Sequence, residues 1–405
     1  MSEVTLAGTP APARELSRRA AIVGVGETDY HLDYQASRTK PPGYEPPTAE
    51  SLAKTAFERA LADSGLRRED IDGLSVSFTY GGPSPAAMAQ TLGIRPRRLI
   101  KNGPIMAGPL PAVCAEIAAG ECDTVAMVFA IASRALNRQY GGATYTASAA
   151  PSSYYYHHPW GWSSQAAHWA MVWRAYQATY GAAEADLGAV AMQLRRNAGA
   201  NPNAVMQTPL SIEDYLAARF IVRPLRLLDM CLVNDGGVCL ILRRADMARD
   251  LPHAPVLVAG WGEAKVRGGK MEALVRERLA PQHQEARAQA LGMAGVALAD
   301  IGHFEGYDAS SIHLVSQLEG FGFVEAGTGL DHFKRGEAAA GGALPVNTSG
   351  GMLSGSYMQG WNQVAEVAWQ LRHEAGARQI PGIACSMSSL AQTDQVHPLI
   401  FTREV

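Results

Sequence analysis

An internal repeat is the feature that most constrains the fold of this 405-residue chain. Segment 60–74 contains ALADSGL followed by DIDGL, and segment 290–304 contains ALGMAGV followed by DIGHF at the same spacing. Each copy follows a short glycine-flanked strand signal, at 22–26 in the first half and at 255–260 in the second. Any strand–helix unit can end its helix with a glycine, but the shared D-I-x-x-[LF] favours duplication. We therefore expect two equivalent halves, 1–250 and 251–405, with those strands as equivalent central strands.

The elements around the repeat alternate between strand and helix. Apolar residues at helical spacing predict a helix over 49–64 that ends at Gly65, and a strand follows over 73–78. Similar patterns predict a helix at 114–119, a strand at 124–130 and a helix at 184–195. The first strand, which begins at residue 20, is predicted to end in a tight turn at 24–26. Strands alternating with helices indicate a mostly parallel sheet that is covered on both faces.

Composition excludes several functional classes. Hydrophobic residues make up 47% and charged residues 18%, and the net charge of -3 offers no electrostatic grip on nucleic acid or an anionic membrane. The apolar runs are too short for a membrane span, and the N-terminus lacks the apolar stretch of a signal peptide. Five cysteines without a C-x-x-C pair indicate reduced thiols rather than disulfides or a zinc ribbon. We expect a soluble, cytoplasmic α/β protein without a metal site.

A long insertion, about 133–219, separates the strands of the first half. Seven of the 14 tyrosines and four of the 7 tryptophans fall between Tyr140 and Tyr180, including Tyr154–156. Aromatic side chains supply large contact areas at low entropic cost, which suits a wall around an apolar ligand or a subunit interface. The alternative is that these residues form the core of the insertion itself.

The order and spacing of several segments resemble the thiolase superfamily, in particular its lipid-transfer and sterol-carrier branch. The segments that carry the resemblance are spread over nearly the whole chain, at 21–28, 224–229, 234–237, 307–308 and 345–351. The resemblance implies a five-layered αβαβα fold built from two duplicated halves, with a loop-domain insertion in the first half. It also implies a dimer whose subunits pack through their first-half sheets.

The catalytic elements of that superfamily are replaced in this sequence. The position of the nucleophilic cysteine falls near Gly103 in segment 102–108, which has no cysteine, and Cys114 lies too deep in the following helix. The histidine of the family's G-H-P motif is replaced by Tyr357, and a second-half Asn or His is replaced by Tyr307. We therefore expect no acyl-enzyme to form at the family position.

Two tyrosines in place of these groups resemble the steroid side-chain aldolases of the superfamily. The resemblance implies retro-aldol cleavage of a bulky, steroid-derived β-hydroxyacyl-CoA to a ketone and a shorter acyl-CoA such as propionyl-CoA. This reaction needs a base, an acid and enolate stabilisation, but no covalent intermediate. We expect Tyr307 and Tyr357 to supply the proton transfers, in roles the sequence leaves open, and Asp308 to assist catalysis or to hold the backbone. The alternative is an inactive scaffold whose tyrosines fill the cavity.

Three further residues are candidates for substrate binding. Asn347 and Ser354 flank the glycine pair 350–351 and have donors for an enolate oxygen, although Ser354 also fits a helix cap. Cys385 stands where thiolases place a second cysteine, but the glycine-rich sequence expected after it is absent.

The resemblance also bears on partners and on competing functions. It implies an acyl-CoA substrate, no cofactor beyond the CoA of that thioester, a homodimer, and a small companion protein with an OB fold and a zinc ribbon in a hetero-oligomer. Two other functions stay open. One is an acyltransferase or thiolase that uses an unrecognised cysteine, and the other is a non-catalytic subunit that binds acyl-CoA or a partner.

Overall fold

The fold is built around a mixed sheet that runs through both halves, with helices outside each half and further helices between the two halves. A computed structural model describes residues 6–7, 13–79, 81–101, 103, 105–106, 108–138, 158–160, 162, 164–266, 280–391 and 395–403. The strands are β1 Leu6–Ala7, β2 Ala20–Glu27, β3 Gly73–Phe78, β4 Arg98–Lys101, β5 Thr124–Ala132, β6 Phe220–Val222, β7 Leu225–Arg226, β8 Asp235–Arg244, β9 Val256–Trp261, β10 Ala264–Val266, β11 Phe304–Gly306, β12 Cys385–Ala391 and β13 Gln395–Arg403. The helices are α1 Tyr30–Thr39, α2 Ala49–Ser64, α3 Pro85–Leu92, α4 Pro109–Ala118, α5 Gln165–Tyr180, α6 Leu187–Gly199, α7 Ile212–Ala217, α8 Ala280–Ala294, α9 Ser311–Gly320, α10 Gly329–Lys334 and α11 Trp361–Arg372.

Strand order repeats in the two halves. The first half runs β4-β3-β5-β8-β2, with two parallel pairings followed by two antiparallel ones. The second half runs β11-β12-β13-β9, and Val346 forms a parallel bridge to Phe304 at the place that corresponds to β4. The pattern of parallel and antiparallel pairs is the same in both halves, and antiparallel pairs outnumber parallel ones among the described strands, so the prediction of a mostly parallel sheet is wrong. The strands β2 and β9 pair antiparallel with each other, as expected for equivalent central strands about a pseudo-two-fold axis.

Glycine keeps each central strand close to its helix. A Cβ on Gly24 would lie 2.5 Å from the carbonyl oxygen of Ala60 in α2, and a Cβ on Gly260 would lie closer still to that of Ala290 in α8. The two alanines occupy the same position of the sequence repeat. The predicted tight turn at 24–26 is wrong, because β2 continues to Glu27 and its glycines serve close helix–strand packing.

The D-I element of the repeat also has the same role twice. Asp70 and Asp300 each accept a hydrogen bond from the backbone N–H three residues earlier, at 2.8 Å in both cases, and so cap a short 3₁₀ turn. The isoleucines that follow, Ile71 and Ile301, are buried at 2% and 5% exposure. A capped turn followed by a buried anchor leads each α-helix into the next strand.

The layers form three apolar cores. Helices α2 and α3 cover the outer face of the first-half strands, and α8 and α9 cover the outer face of the second-half strands. Helices α4 and α11 lie between the two halves in a central core, where the Trp361 ring stacks on Phe129 with centroids 5.4 Å apart. This arrangement confirms the predicted five-layered αβαβα fold.

Local predictions agree with the structure where the signal is strong. The helix 49–64 and the strand 73–78 have the predicted bounds, whereas the helix expected at 184–195 spans Leu187–Gly199 after a 3₁₀ turn. Within the insertion, Trp173 is fully buried in the second-half core while Trp160 is 84% exposed, and Tyr154–156 lie outside the described residues. No helix in the described part of the chain is long and apolar enough to cross a membrane.

Candidate active site

Two tyrosine hydroxyls lie close together just beyond the C-terminal end of strand β11. Tyr307 directly follows β11, and Tyr357 lies in the short segment between a single π-helical turn, Gly351–Gly355, and α11. Their Oη atoms are 3.5 Å apart. Burial raises the pKa of Tyr357 well above its ordinary value, and the adjacent Tyr307 raises this pKa further. At neutral pH the Tyr357 phenol therefore carries its proton.

The backbone on both sides of the pair is held by specific hydrogen bonds. The N–H of Tyr307 donates to Ser389 O at 3.0 Å in the neighbouring strand, and Gln317 Nε2 donates to Tyr307 O at 2.8 Å. The N–H of Tyr357 donates to Asn234 Oδ1 at 2.9 Å. Asn234 belongs to the first half, so residues from both halves position the second tyrosine. The helix α11 begins four residues after Tyr357, at Trp361.

Asp308 lies behind the pair and holds the π-helical turn. Its buried carboxylate accepts hydrogen bonds from Met352 N at 2.9 Å and from Leu353 N at 3.1 Å. Burial raises the pKa of Asp308 to about 7, although these two backbone donors act in the opposite direction. Gly351 has a φ of +58°, and a Cβ there would overlap the Asp308 carboxylate. Glycine at this position therefore allows the turn to close on Asp308.

The aromatic insertion reaches the same region through helix α5. The Trp169 ring stacks on His313 of α9 with centroids 3.9 Å apart, and His313 meets Tyr307 edge-on at 5.8 Å. Trp169 is nearly fully buried in the second-half core. The described part of the insertion thus contributes both to a core and to the surroundings of Tyr307.

Comparison with known proteins gives the family. A family model described as "Thiolase C-terminal domain-like" matches residues 271–393 of this chain. A "Steroid side-chain-cleaving aldolase" from Thermomonospora curvata is 33% identical over 371 residues, which cover 87% of this chain and 90% of that protein. The chain belongs to the thiolase superfamily. A "17-hydroxy-3-oxo-4-pregnene-20-carboxyl-CoA lyase" from Mycobacterium tuberculosis is also 33% identical, over 88% of this chain and 92% of that protein.

A solved structure agrees with this assignment over nearly the whole length. The "Ltp2-ChsH2(DUF35) aldolase" superposes with a TM-score of 0.83 at 30% identity, over 96% of this chain and 98% of that chain. With the sequence relatives, it identifies the protein as a carbon–carbon lyase of the thiolase superfamily, as the sequence predicts. It is therefore an aldolase of this superfamily.

The thiols of the aldolase are held in their protonated form. Burial raises the pKa of Cys114, in the second turn of α4, to about 12. The half-buried Cys231 also has a pKa raised to about 12, first by burial and then by the Asp308 carboxylate. The position of the family's nucleophilic cysteine falls near Gly103, which the structure describes, whereas Asn102 and Pro104 lie outside the described residues. A nucleophilic thiol needs a lowered pKa, and these two have the opposite shift.

Asn347 and Ser354 make hydrogen bonds within the scaffold. The amide of Asn347 pairs with the backbone of Gly306, accepting from its N at 2.7 Å and donating to its O at 2.9 Å. Asn347 adopts a φ of +46°, which directs its side chain back onto β11. Ser354 Oγ accepts a hydrogen bond from Arg195 Nε at 3.0 Å and caps no helix. Both residues thus fix the turn beside the tyrosines.

Cys385 is not brought to the tyrosine pair. It is the first residue of β12, whereas Tyr307 bonds to Ser389, four residues further along the same strand. At about 3.3 Å per residue, the two levels are about 13 Å apart. Burial raises the pKa of Cys385 to about 12.

Three neighbours of the tyrosines were not identified from the sequence. Asn234 lies within segment 234–237, which carries part of the family resemblance, and Gln359 Nε2 donates to Tyr357 Oη at 3.3 Å. Cys231 precedes Asn234 by three residues, just before that segment, and it raises the pKa of Tyr357. The nearness of Asn234 and Cys231 to Tyr357 depends on contacts between the halves, which no local pattern encodes. In the part of the chain that the structure describes, no three His, Cys, Asp or Glu side chains converge as a metal site.

Proposed function

We propose that the aldolase cleaves the CoA thioester of a steroid-type acid that carries a hydroxyl on the ring carbon β to the thioester. The products are a ring ketone and a shorter acyl-CoA, which is propionyl-CoA for a three-carbon side chain. The observation that carries the proposal is the 3.5 Å approach of the Tyr307 and Tyr357 hydroxyls. The names of the two relatives, an aldolase that cleaves steroid side chains and a pregnene carboxyl-CoA lyase, support this substrate class.

The reaction neither releases nor consumes a net proton, so two neutral phenols can carry the proton transfers. When the bond between the ring carbon and the α-carbon breaks, the β-hydroxyl loses its proton and becomes the ketone. The bonding electrons pass to the α-carbon as a thioester enolate, which then takes up one proton. One proton is released and one is consumed, so a relay through two hydrogen-bonded phenols needs no external acid or base.

A relay also avoids the cost of a free phenolate in a buried site. Burial raises the pKa of Tyr357, so a stepwise mechanism with an ionised resting tyrosine is unfavourable at neutral pH. If the first phenol takes up the hydroxyl proton as it passes its own proton to the second, and the second delivers its proton to the α-carbon, both phenols end neutral. We propose Asp308, Asn347 and Ser354 as positioning residues for this pair, since each holds the adjoining turn or strand.

Acyl transfer through a thiol is the second candidate. It would use the same acyl-CoA class but would require an acylated cysteine. The raised pKa values of Cys114, Cys231 and Cys385 argue against it. A non-catalytic scaffold is the third, and it would retain the fold and bind acyl-CoA without turnover.

We further propose that the aldolase is a homodimer that assembles with a small companion protein. The edge strand β4 pairs with β3 on one side and carries Leu99, which is 47% exposed, and this supports dimerisation through the first-half sheets. The name of the similar structure joins Ltp2 to ChsH2(DUF35), which supports a hetero-oligomer here. Co-expression with a companion encoded nearby, followed by mass measurement in solution, tests both points.

The decisive experiment follows both products of a defined substrate. The protein, with and without the companion, is incubated with 17-hydroxy-3-oxo-4-pregnene-20-carboxyl-CoA, and the ketone and propionyl-CoA are quantified. Equimolar products without an acylated protein by intact-mass measurement support the proposal. Thiolysis of a 3-ketoacyl-CoA with a covalent acyl adduct would favour the thiolase function, and binding without turnover in either preparation would favour the scaffold.

A further inference from the structure

A line of three hydrogen bonds connects the first half of the chain to the tyrosine pair. Thr79 follows the last residue of β3, and its hydroxyl donates to Gln359 Oε1 at 3.1 Å, across 280 positions of sequence. Gln359 Nε2 donates to Tyr357 Oη at 3.3 Å, and Tyr357 Oη lies 3.5 Å from Tyr307 Oη. Gln359 is 7% exposed, so solvent has little access to its amide.

The backbone at Gln359 is in an unfavourable conformation. Its φ is +50°, in the left-handed region that glycine and asparagine populate far more readily than a long side chain. Gly360, the next residue, also has a positive φ, of +91°. The conformational cost of a glutamine at this position indicates that its side chain has a specific role.

The amide can orient the tyrosine proton because its two ends differ. With Thr79 donating to Oε1, the NH₂ end of Gln359 must face Tyr357. Tyr357 Oη then accepts from Gln359, which leaves its own hydrogen to donate to Tyr307 Oη, 3.5 Å away, or to a substrate. The amide donor also favours negative charge on Tyr357 Oη, and it lowers the pKa of Tyr357 against the effect of burial.

We propose that Gln359, oriented by Thr79, is a positioning residue that directs the Tyr357 proton and stabilises the charge that develops on its oxygen during cleavage. The inference rests on the proposed function of the tyrosine pair. Gln359 acts through Tyr357 and does not need to touch substrate. Thr79 links this function to the first half, which supplies no catalytic thiol at the family position.

The experiment compares side-chain variants at both positions in the assembled protein, with the steroid-CoA substrate. Gln359→Met keeps length and volume but removes the donor, and should lower kcat on the order of 10- to 100-fold with little change in KM, the range expected for a hydrogen bond to a charged group. Gln359→Gly suits the left-handed backbone, so it should fold at least as stably as Gln359→Met while kcat falls similarly. Thr79→Val should lower kcat less than the Gln359 variants do. Thr79→Ser keeps the hydroxyl and should have a kcat close to that of the wild type.

Combination with Tyr357→Phe separates the positioning role from a structural one. If Gln359 acts through the Tyr357 oxygen, adding Gln359→Met to Tyr357→Phe should cause no further loss of kcat. A multiplied loss in the double variant, or wild-type kcat in both Gln359 variants, would overturn the inference while leaving the tyrosine mechanism intact. Wild-type turnover in Tyr357→Phe itself would overturn the proposed function.

Discussion

The tyrosine pair makes a quantitative prediction that a double-mutant cycle can test. Replacing Tyr307 or Tyr357 with Phe keeps each ring and removes one hydroxyl. The 3.5 Å separation is at the long limit of a hydrogen bond, so we expect Tyr307→Phe to lower the free energy of unfolding by about 0.5 kcal/mol or less. Tyr357→Phe also leaves Gln359 Nε2 without its acceptor and should cost about 1 kcal/mol.

Activity should fall far more than stability in both variants. A positioned acid or base contributes about 10²- to 10⁴-fold, which corresponds to about 2.7–5.5 kcal/mol in the activation barrier. Because one relay uses both hydroxyls, the double variant should be about as slow as the slower single variant. Two independent groups would instead multiply their effects to about 10⁴-fold or more.

Two measurements decide between these outcomes. Ketone release gives kcat/KM for the wild type, both single variants and the double variant, and urea unfolding gives their stabilities. A multiplicative double variant would refute the relay, although each tyrosine would still be catalytic. Folded single variants with wild-type turnover would refute any role for the pair in the reaction.

Three further predictions concern the scaffold and the thiols. Gly24→Ala and Gly260→Ala should each lower the free energy of unfolding by about 1–3 kcal/mol because their Cβ atoms meet a helix carbonyl, whereas Gly292→Ala, at an open helix position, should raise it by about 0.5–1 kcal/mol; urea titration compares the three. Cys385→Ala should leave kcat unchanged, and a maleimide-treated enzyme should keep most of its activity, so a large loss in either assay would contradict the placement of this cysteine. Asp308 has a folded-state pKa of about 7, above its unfolded value, so its contribution to stability is present below about pH 4 and is lost as the pH rises to 7. Asp308→Asn should therefore remove that part of the pH dependence, as measured by Tm between pH 4 and 7.

The duplicated fold was predictable because each copy of the repeat carries its own local signals. Helix 49–64 has an apolar face and a glycine stop, and the aspartates at 70 and 300 cap the same turn in both halves. The prediction of a tight turn at 24–26 is wrong because these glycines make room for helix α2, which is more than 20 residues away along the chain. A glycine in a strand has the same local signature whether it turns the chain or admits a helix.

The site was predictable only in part, for a similar reason. The sequence positions of Tyr307 and Tyr357 follow from the family motifs, but the engagement of Asn347 with Gly306 and of Ser354 with Arg195 depends on tertiary contacts. Gln359 has no local signal that distinguishes it from a polar loop residue. Its partner Thr79 is in the other half of the chain, so only the assembled structure reveals the pair.

The placement of helix α11 between the halves affects the order in which a new chain can fold. All strands of the first-half sheet have been synthesised once residue 244 has left the ribosome, but the inner face around Phe129 is covered by Trp361. Synthesis of the intervening residues takes on the order of 10 s, and during that time this apolar face has no cover from α11. A fragment that ends at residue 250 should therefore aggregate when it is made alone, and it should become soluble when 251–405 is produced in the same cell.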